Sequence, residues 1–158
     1  MSNIVIEGDK APDFTLRSDK FDEITLSKQK NKNIVLYFYP KDNTPGCTNQ
    51  AIDFSEKLDD FSAADTLIFG VSRDDPQTHE HFKDMKNLTV TLLSDENLEV
   101  IPEYGSWIEK NMYGKKYMGI DRSTFLIDKE GIIRKIWRKV RVKGHVDKVL
   151  GEVINLNK

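Results

Sequence analysis

The sequence predicts an α/β domain built on a mixed β-sheet. Short, apolar, β-prone segments alternate with stretches of helical periodicity along most of the 158 residues, and a strand–turn–strand pattern follows. Such alternation is typical of a sheet with helices packed on its faces. Because no repeat, low-complexity tract or linker-like stretch interrupts the chain, we expect one domain over residues 1–158.

Different sequence features identify the different predicted strands. Residues 14–16 and 24–26 are apolar and flank a polar turn at 18–20, which predicts a small hairpin. The segment IVLYFY (34–39) is apolar throughout, as expected of a central strand that is covered on both faces. The remaining strand-like segments are short and rich in Val, Ile, Leu and Phe: 67–72, 90–93, 123–127 and 132–137.

The predicted helices follow from spacing and start signals. Beyond a Pro-Gly turn, apolar side chains step by four, three, four and three residues, which places them on one face of a helix. These side chains are Cys47, Ala51, Phe54, Leu58 and Phe61. A second helix should begin at Asp75-Pro76 and run to about Lys86, and a short one should cover 97–104. The stripe Val142, Val146, Val149, Val153 predicts a closing helix.

Composition limits the class of protein. With 38% hydrophobic and 32% charged residues, the chain is typical of globular proteins, and its net charge of −2 does not favour nucleic acid or an anionic membrane. One cysteine cannot form an internal disulfide, which suits a reducing compartment. The first residues lack the basic region and long apolar core of a signal peptide, so we expect a cytoplasmic location.

Cys47, the only cysteine, stands where the first long helix should begin. A cysteine that opens the helix after a central strand is typical of a thioredoxin-like fold. A helix N-terminus favours the thiolate, the reactive form, although a lone intracellular cysteine is more often buried and inert. Because Thr44 and Gln50 stand three residues before and after it, Cys-x-x-Cys disulfide exchange is excluded. A single thiolate can instead attack a peroxide and become a sulfenic acid.

Displacement at a peroxide spreads negative charge over sulfur and two oxygens, which calls for fixed donors and a permanent cation. Arg122, just before the strand 123–127, is the best-placed arginine, and the alternative is a surface arginine paired with Asp121 or Glu109. Thr44 can donate toward the sulfur or an incoming oxygen, or it can cap the helix. Pro45-Gly46 permits a tight turn that brings helix-terminal amides toward the sulfur.

The residues around Cys47 resemble the active-site motif of peroxiredoxins. Pro40-x-x-x-Thr44-x-x-Cys47 matches that motif, and the longer string FYPKDNTPGCT is similar to the subgroup called bacterioferritin-comigratory protein or peroxiredoxin Q. The resemblance continues in order along nearly the whole chain, at residues 8–14, 70–74, 92–95, 104–107 and 119–125.

The resemblance implies a role for each matching residue. Cys47 is expected to be the peroxidatic cysteine and Thr44 to hydrogen-bond the peroxide and the thiolate. Pro40 is expected to shield the pocket from water, and Arg122 to favour the thiolate and hold the oxygens. The other expected pocket residues are Pro45, Gly46, Gln50 and Trp107. The family implies no metal, haem or flavin.

Two departures from the subgroup affect the expected mechanism. Its resolving cysteine often stands five residues after the peroxidatic one, where this chain has Ile52. Reduction must then come from an external thiol such as thioredoxin, glutaredoxin with glutathione, or a small dithiol; an intermolecular Cys47–Cys47 disulfide is left open. Gln50 stands where the family usually has a glutamate. Glutamine keeps the hydrogen bonding but loses the negative charge, which leaves the orientation of Arg122 open.

The leading hypothesis is a one-cysteine thiol peroxidase for hydrogen peroxide and organic hydroperoxides, which acts in antioxidant defence as a monomer or weak homodimer. The alternative is a redox sensor or chaperone-like protein that oxidation of Cys47 switches without turnover. The basic stretch 134–143 is interpreted as a solvated sheet edge rather than a nucleic-acid surface. His79 and His81 are expected on the helix surface rather than at a metal, and His145 at the start of the last helix.

Overall fold

The computed structural model describes residues 4–29 and 31–158, and this part forms nine strands and five α-helices. The strands are β1 (Thr15–Ser18), β2 (Glu23–Thr25), β3 (Asn33–Phe38), β4 (Thr66–Ser72), β5 (Thr91–Ser94), β6 (Trp107–Met112), β7 (Lys115–Ile120), β8 (Ser123–Ile127) and β9 (Ile133–Trp137). The helices are α1 (Pro45–Glu56), α2 (Leu58–Ala63), α3 (Pro76–Lys86), α4 (Val100–Glu103) and α5 (His145–Leu156). Residues 1–3, which belong to the segment without signal-peptide features, lie outside the described part.

Seven strands form one mixed sheet in the order β2-β1-β5-β4-β3-β8-β9. The central strand β3 pairs in parallel with β4 and antiparallel with β8, and all six of its residues are buried. This explains why its sequence is apolar on both faces rather than alternating. The predicted thioredoxin-like α/β fold with a mixed sheet is confirmed.

The two faces of the sheet carry separate apolar cores. Leu36 and Phe38 of β3 point to one face, with α4 and the N-terminal segment. Val35 and Tyr37 point to the other face, where helices α1, α2, α3 and α5 pack. Cys47 belongs to this second core. The site therefore lies at the junction between α1 and the end of the central strand.

Most predicted elements are present, and two differ in length. The long helix from Cys47 to Phe61 is divided at Lys57 into α1 and α2, although the apolar spacing continues across the division. The short helix expected over 97–104 covers only Val100–Glu103. Its start is fixed by the Asp95 carboxylate, which accepts hydrogen bonds from the N–H groups of three successive residues, 99 to 101.

The sequence prediction missed the antiparallel pair β6–β7, which forms a sheet of its own. Its turn lies at Tyr113-Gly114, where both residues have positive φ, 53° and 81°. The pair carries several charged and exposed side chains, so it lacks the apolar alternation by which half-buried strands are recognised. The pair joins the main body next to Arg122, because β7 ends at Ile120.

The basic stretch 134–143 includes β9, which is an edge strand of the main sheet. Arg134 pairs with Asp128, and Arg138 donates to the carbonyl oxygens of Tyr104 and Gly105. These contacts and the edge position agree with the interpretation as a charged sheet edge. Among the helices of the described residues, none is long and apolar enough to cross a membrane.

His145 begins α5, as expected, and it is buried with 5% of its surface exposed. Its Nε2 lies 2.8 Å from the Thr124 hydroxyl of β8, and its ring meets Trp137 edge to face. Burial lowers the pKa of His145 to about 4, and the positive charges of Lys148 and Arg122 act in the same direction. The imidazole is therefore neutral in the folded protein at neutral pH.

We predict that protonation linked to His145 destabilises the fold in mild acid. The unfolded chain takes up this proton near pH 6.5 and the folded chain only near 4, so the free energy of unfolding should fall as pH drops through that window. Urea unfolding at neutral pH and within the window measures the slope, which should be smaller in His145→Gln. The exposed His81→Gln is the control, and an unchanged slope in His145→Gln would contradict the prediction.

Candidate active site

Cys47 lies in the first turn of α1, the helix that follows the central strand β3 in the chain. Pro45 is the first helical residue, and the Thr48 N–H donates to the Thr44 carbonyl at 2.8 Å. Proline suits the first helical position because an N–H at that position would have no partner within the helix. Only 2% of Cys47 is exposed, so the thiol is recessed, as its position on the apolar stripe predicts.

Arg122 is the residue that the structure brings to the thiol. It lies between β7 and β8, beside the end of β3, because Ser123 pairs with Phe38. One guanidinium nitrogen, Nη2, donates to the Cys47 Sγ at 3.3 Å, and the other, Nη1, donates to the Gln50 Oε1 at 2.7 Å. Both partners are on α1, three residues apart, so the planar guanidinium spans one helix face.

Gln50 is fully buried and orients the guanidinium. Its amide oxygen accepts from Arg122, while its Nε2 has no hydrogen-bond partner within the described residues. A neutral amide leaves the positive charge of the arginine uncompensated, whereas a carboxylate at this place would offset it. The structure thus gives Arg122 a defined orientation without the usual glutamate.

Thr44 precedes α1 in an extended conformation, with φ −96° and ψ 154°, but its side chain does not cap the helix. The hydroxyl instead donates to the Lys41 carbonyl oxygen at 2.9 Å. A hydroxyl has a single proton, so in this conformation Thr44 does not donate to the thiol, and its oxygen accepts no hydrogen bond from a helix N–H. Neither of the two expected contacts of its side chain is formed, and its peroxide-binding role stays a prediction.

The other expected pocket residues surround this centre at different depths. Gly46 lies directly against Arg122, because a Cβ atom built on it would be 3.1 Å from Nη2. Pro40 is half-buried and Pro45 is exposed. Trp107 starts β6, and the guanidinium carbon of Arg73 lies 5.5 Å from the centre of its ring. The pocket roles of Pro40, Pro45 and Trp107 stay predictions.

Tyr37 belongs to the same buried cluster as Cys47, although the sequence did not reveal it as a neighbour of the site. Its ring stacks on Phe54 at 4.5 Å, and Gly70 of β4 leaves space for it, since a Cβ there would be 2.6 Å from the ring. Burial raises the pKa of Tyr37 far above its ordinary value, and the neighbouring Asp42 and Cys47 add to the effect. Tyr37 is therefore a protonated phenol at every physiological pH.

The expectation that His79 is a surface residue is wrong. His79 is fully buried, whereas His81 is exposed as expected. The physical reason is helical spacing: Pro76, His79 and Phe82 stand three residues apart and share the buried face of α3. That spacing is visible in the sequence and could have indicated the burial of His79.

Asp42, Asp74 and His79 place ligand atoms within 4.8 Å of one another, but hydrogen bonds already occupy these atoms. The Asp42 carboxylate accepts from Tyr39 and is bonded to His79, and Asp74 Oδ2 accepts from Ser72 and from the Asp42 N–H. The cluster is a hydrogen-bonded network, and it includes Asp42 of the loop that leads into α1. The sequence prediction did not include it.

The fold and the centre together define a class of protein. A recessed single thiol opens the helix after the central strand of a thioredoxin-like sheet, and an arginine from a neighbouring strand end donates to it. Such a centre can stabilise a thiolate and the charge that develops when sulfur attacks a peroxide bond. These features are those of a thiol-dependent peroxidase with the peroxiredoxin fold.

Comparison with known proteins supports this class and gives the family. The AhpC/TSA family model matches residues 7–136. Peroxiredoxin Bcp of Bacillus subtilis is 50% identical over 143 residues, which are 90% of this chain and 91% of that protein. Peroxiredoxin Bcp of Escherichia coli is 38% identical over 143 residues, 90% of this chain and 92% of that protein.

The solved structure of the Xanthomonas campestris bacterioferritin comigratory protein superposes with a TM-score of 0.91 and 38% identity, over 98% of this chain and 99% of that one. The chain therefore belongs to the AhpC/TSA family, as a peroxiredoxin of the Bcp or peroxiredoxin Q subgroup.

We predict that Gly46→Ala disturbs Arg122. The added methyl group would lie 3.1 Å from Nη2, so the guanidinium would have to move by a few tenths of an ångström. Because rates depend steeply on the placement of reacting groups, stopped-flow oxidation of the thiol by hydrogen peroxide should slow by several-fold, up to about tenfold. The control is Gly151→Ala in α5, where a Cβ meets nothing within 4 Å. Equal rates in both variants would show that Arg122 tolerates the methyl group.

Proposed function

We propose that Cys47 is the peroxidatic cysteine and that Arg122, Gln50, Thr44 and the first turn of α1 form the peroxide site. The observation that carries this proposal is the guanidinium of Arg122, which donates to the Cys47 sulfur and to Gln50 at the same time. In that position Arg122 favours the thiolate and offers its donors to the oxygens of a bound peroxide. Pro40 restricts access of water to the same point.

The reaction requires no group beyond the thiol and these donors. The Cys47 thiolate attacks one oxygen of the hydroperoxide, the O–O bond breaks, and the remaining oxygen leaves as water or an alcohol after it gains a proton. Sulfur is oxidised to a sulfenic acid and the peroxide is reduced. Hydrogen peroxide and small organic hydroperoxides are the proposed substrates. Support comes from the related Xanthomonas campestris protein, which is described in terms of alkyl peroxide reduction.

The second half of the cycle depends on another molecule. The chain has no second cysteine, and the position five residues after Cys47 is the half-buried Ile52. One external thiol attacks the oxidised sulfur and releases water, which leaves a mixed disulfide, and a second thiol then frees Cys47. We propose thioredoxin, glutaredoxin with glutathione, or a small dithiol as donor, in the cytoplasm, for a single-domain monomer or weak homodimer.

Turnover is favoured over the alternative of a redox sensor or chaperone-like switch. Relatives that align over about nine tenths of the chain are named peroxiredoxins, and a centre that donates to the sulfur suits repeated peroxide reduction.

The direct test compares Cys47→Ser, Arg122→Lys and Arg134→Lys. Cys47→Ser should consume no peroxide. Arg122→Lys keeps a charge but loses the fork that reaches both partners, so oxidation should slow by about 10²- to 10³-fold. The exposed Arg134→Lys should keep the wild-type rate. Full peroxide consumption by Cys47→Ser would exclude the proposed mechanism.

We also predict turnover with external thiols alone. Wild-type enzyme and excess peroxide should give many turnovers with at least one of dithiothreitol, thioredoxin, or glutaredoxin with glutathione. Mass spectrometry after a limiting amount of thiol should detect the mixed disulfide at Cys47. Consumption that stops after one equivalent with every donor would favour the sensor instead, and a stable Cys47–Cys47 dimer would point to resolution between subunits.

A further inference from the structure

We propose that His79 and Asp42 are positioning residues that hold the loop 40–44 in the conformation in which Cys47 reacts with peroxide. This proposal rests on the proposed function of Cys47. Neither residue hydrogen-bonds the thiol, so both would act through the loop that carries Pro40 and Thr44 into α1.

The two side chains form a direct contact inside the protein. His79 Nδ1 lies 2.6 Å from Asp42 Oδ2, and His79 Nε2 lies 2.9 Å from the carbonyl oxygen of Leu93 in β5. His79 is fully buried and Asp42 is nearly so. A histidine with both ring nitrogens engaged has a fixed orientation, and it anchors the aspartate to the end of β5.

The partners of His79 fix the role of one ring nitrogen. A carbonyl oxygen only accepts, so Nε2 of His79 carries a hydrogen that it donates to Leu93. On the other side of the ring, Nδ1 and Asp42 Oδ2 lie 2.6 Å apart, within hydrogen-bond distance. Hydrogen bonds inside a protein are electrostatically stronger than those exposed to water.

Two further bonds hold the same aspartate. The Tyr39 hydroxyl, at the end of β3, donates to Asp42 Oδ1 at 2.5 Å. Burial and the charge of Asp42 raise the pKa of Tyr39 far above its ordinary value, so it stays a donor. The Asp42 N–H donates to Asp74 Oδ2 at 2.8 Å, and Ser72 of β4 donates to the same oxygen. Asp42 thus connects β3, β4, β5 and α3 to the loop.

The loop changes direction next to the anchored aspartate. Asn43, directly after Asp42, has φ 61°, a left-handed conformation that asparagine adopts more readily than most residues. Thr44 follows directly and is the last residue before α1. A rotation at Asp42 or Asn43 would therefore move the Thr44 hydroxyl and the first amides of the helix relative to the Cys47 sulfur.

The shared contact provides a sharp test. Because both residues act on the loop through one contact, their effects should not add. His79→Leu, Asp42→Ala and the double variant Asp42→Ala/His79→Leu should therefore disturb the loop to a similar extent. His79→Gln, which keeps an amide donor, serves where His79→Leu does not fold.

The experiment measures two reactions of Cys47 at one pH in the complete protein. Stopped-flow mixing gives the rate with hydrogen peroxide, and mass spectrometry gives the rate of alkylation by iodoacetamide, which does not use the peroxide site. In the single variants the peroxide rate should fall about tenfold or more, as for misplaced reacting groups, while alkylation stays equal or rises. The double variant should lose little more of the peroxide rate than the slower single variant, whereas independent effects would multiply.

Other outcomes overturn the proposal. If peroxide and alkylation rates fall in parallel, or urea unfolding accounts for the whole loss, the pair is structural only. An unchanged peroxide rate in His79→Leu and His79→Gln also overturns it. The exposed His81→Gln on the same helix is the matched control. If the wild-type thiol itself fails to react with peroxide, the proposed function fails, and this result is separate from any difference among variants.

Discussion

The guanidinium of Arg122 holds the start of α1 against the end of the central strand through two hydrogen bonds, one to Cys47 and one to Gln50. Most other features of the site serve this contact. Gly46 has no side chain where Nη2 passes, and Ser123 anchors the arginine by its pairing with Phe38 of β3. Because an arginine keeps its proton at every physiological pH, the thiol always faces a positive charge.

This arrangement leaves polar groups without hydrogen bonds in apolar surroundings. Within the described part of the chain, the Tyr37 hydroxyl and the Gln50 Nε2 are buried without a hydrogen-bond partner. Such groups are unfavourable for stability and are common where a site is prepared for a ligand or for developing charge. Gln50 also explains how the chain orients its arginine with an uncharged partner, since the amide oxygen alone accepts from Nη1.

With a single cysteine, the site can be oxidised but has no second thiol of its own to reduce it again. Cys47 is only 2% exposed, which suits a small peroxide better than a protein thiol. The reductant must nevertheless reach it, so the loop and the first turn of α1 must combine firm positioning with access for a second molecule. The network of Asp42 and His79 lies next to this segment, where it can influence that balance.

The sequence by itself predicted the strands of the main sheet, most helix starts, and Cys47 and Arg122 as candidate site residues, because apolar periodicity and local motifs are properties of neighbouring residues. The tertiary structure decided what depends on distant contacts, above all the donation of Arg122 to Cys47, which stands 75 residues earlier in the chain. Asp42 and His79 are 37 residues apart. No local pattern pairs them, since only the fold brings the loop after β3 against α3.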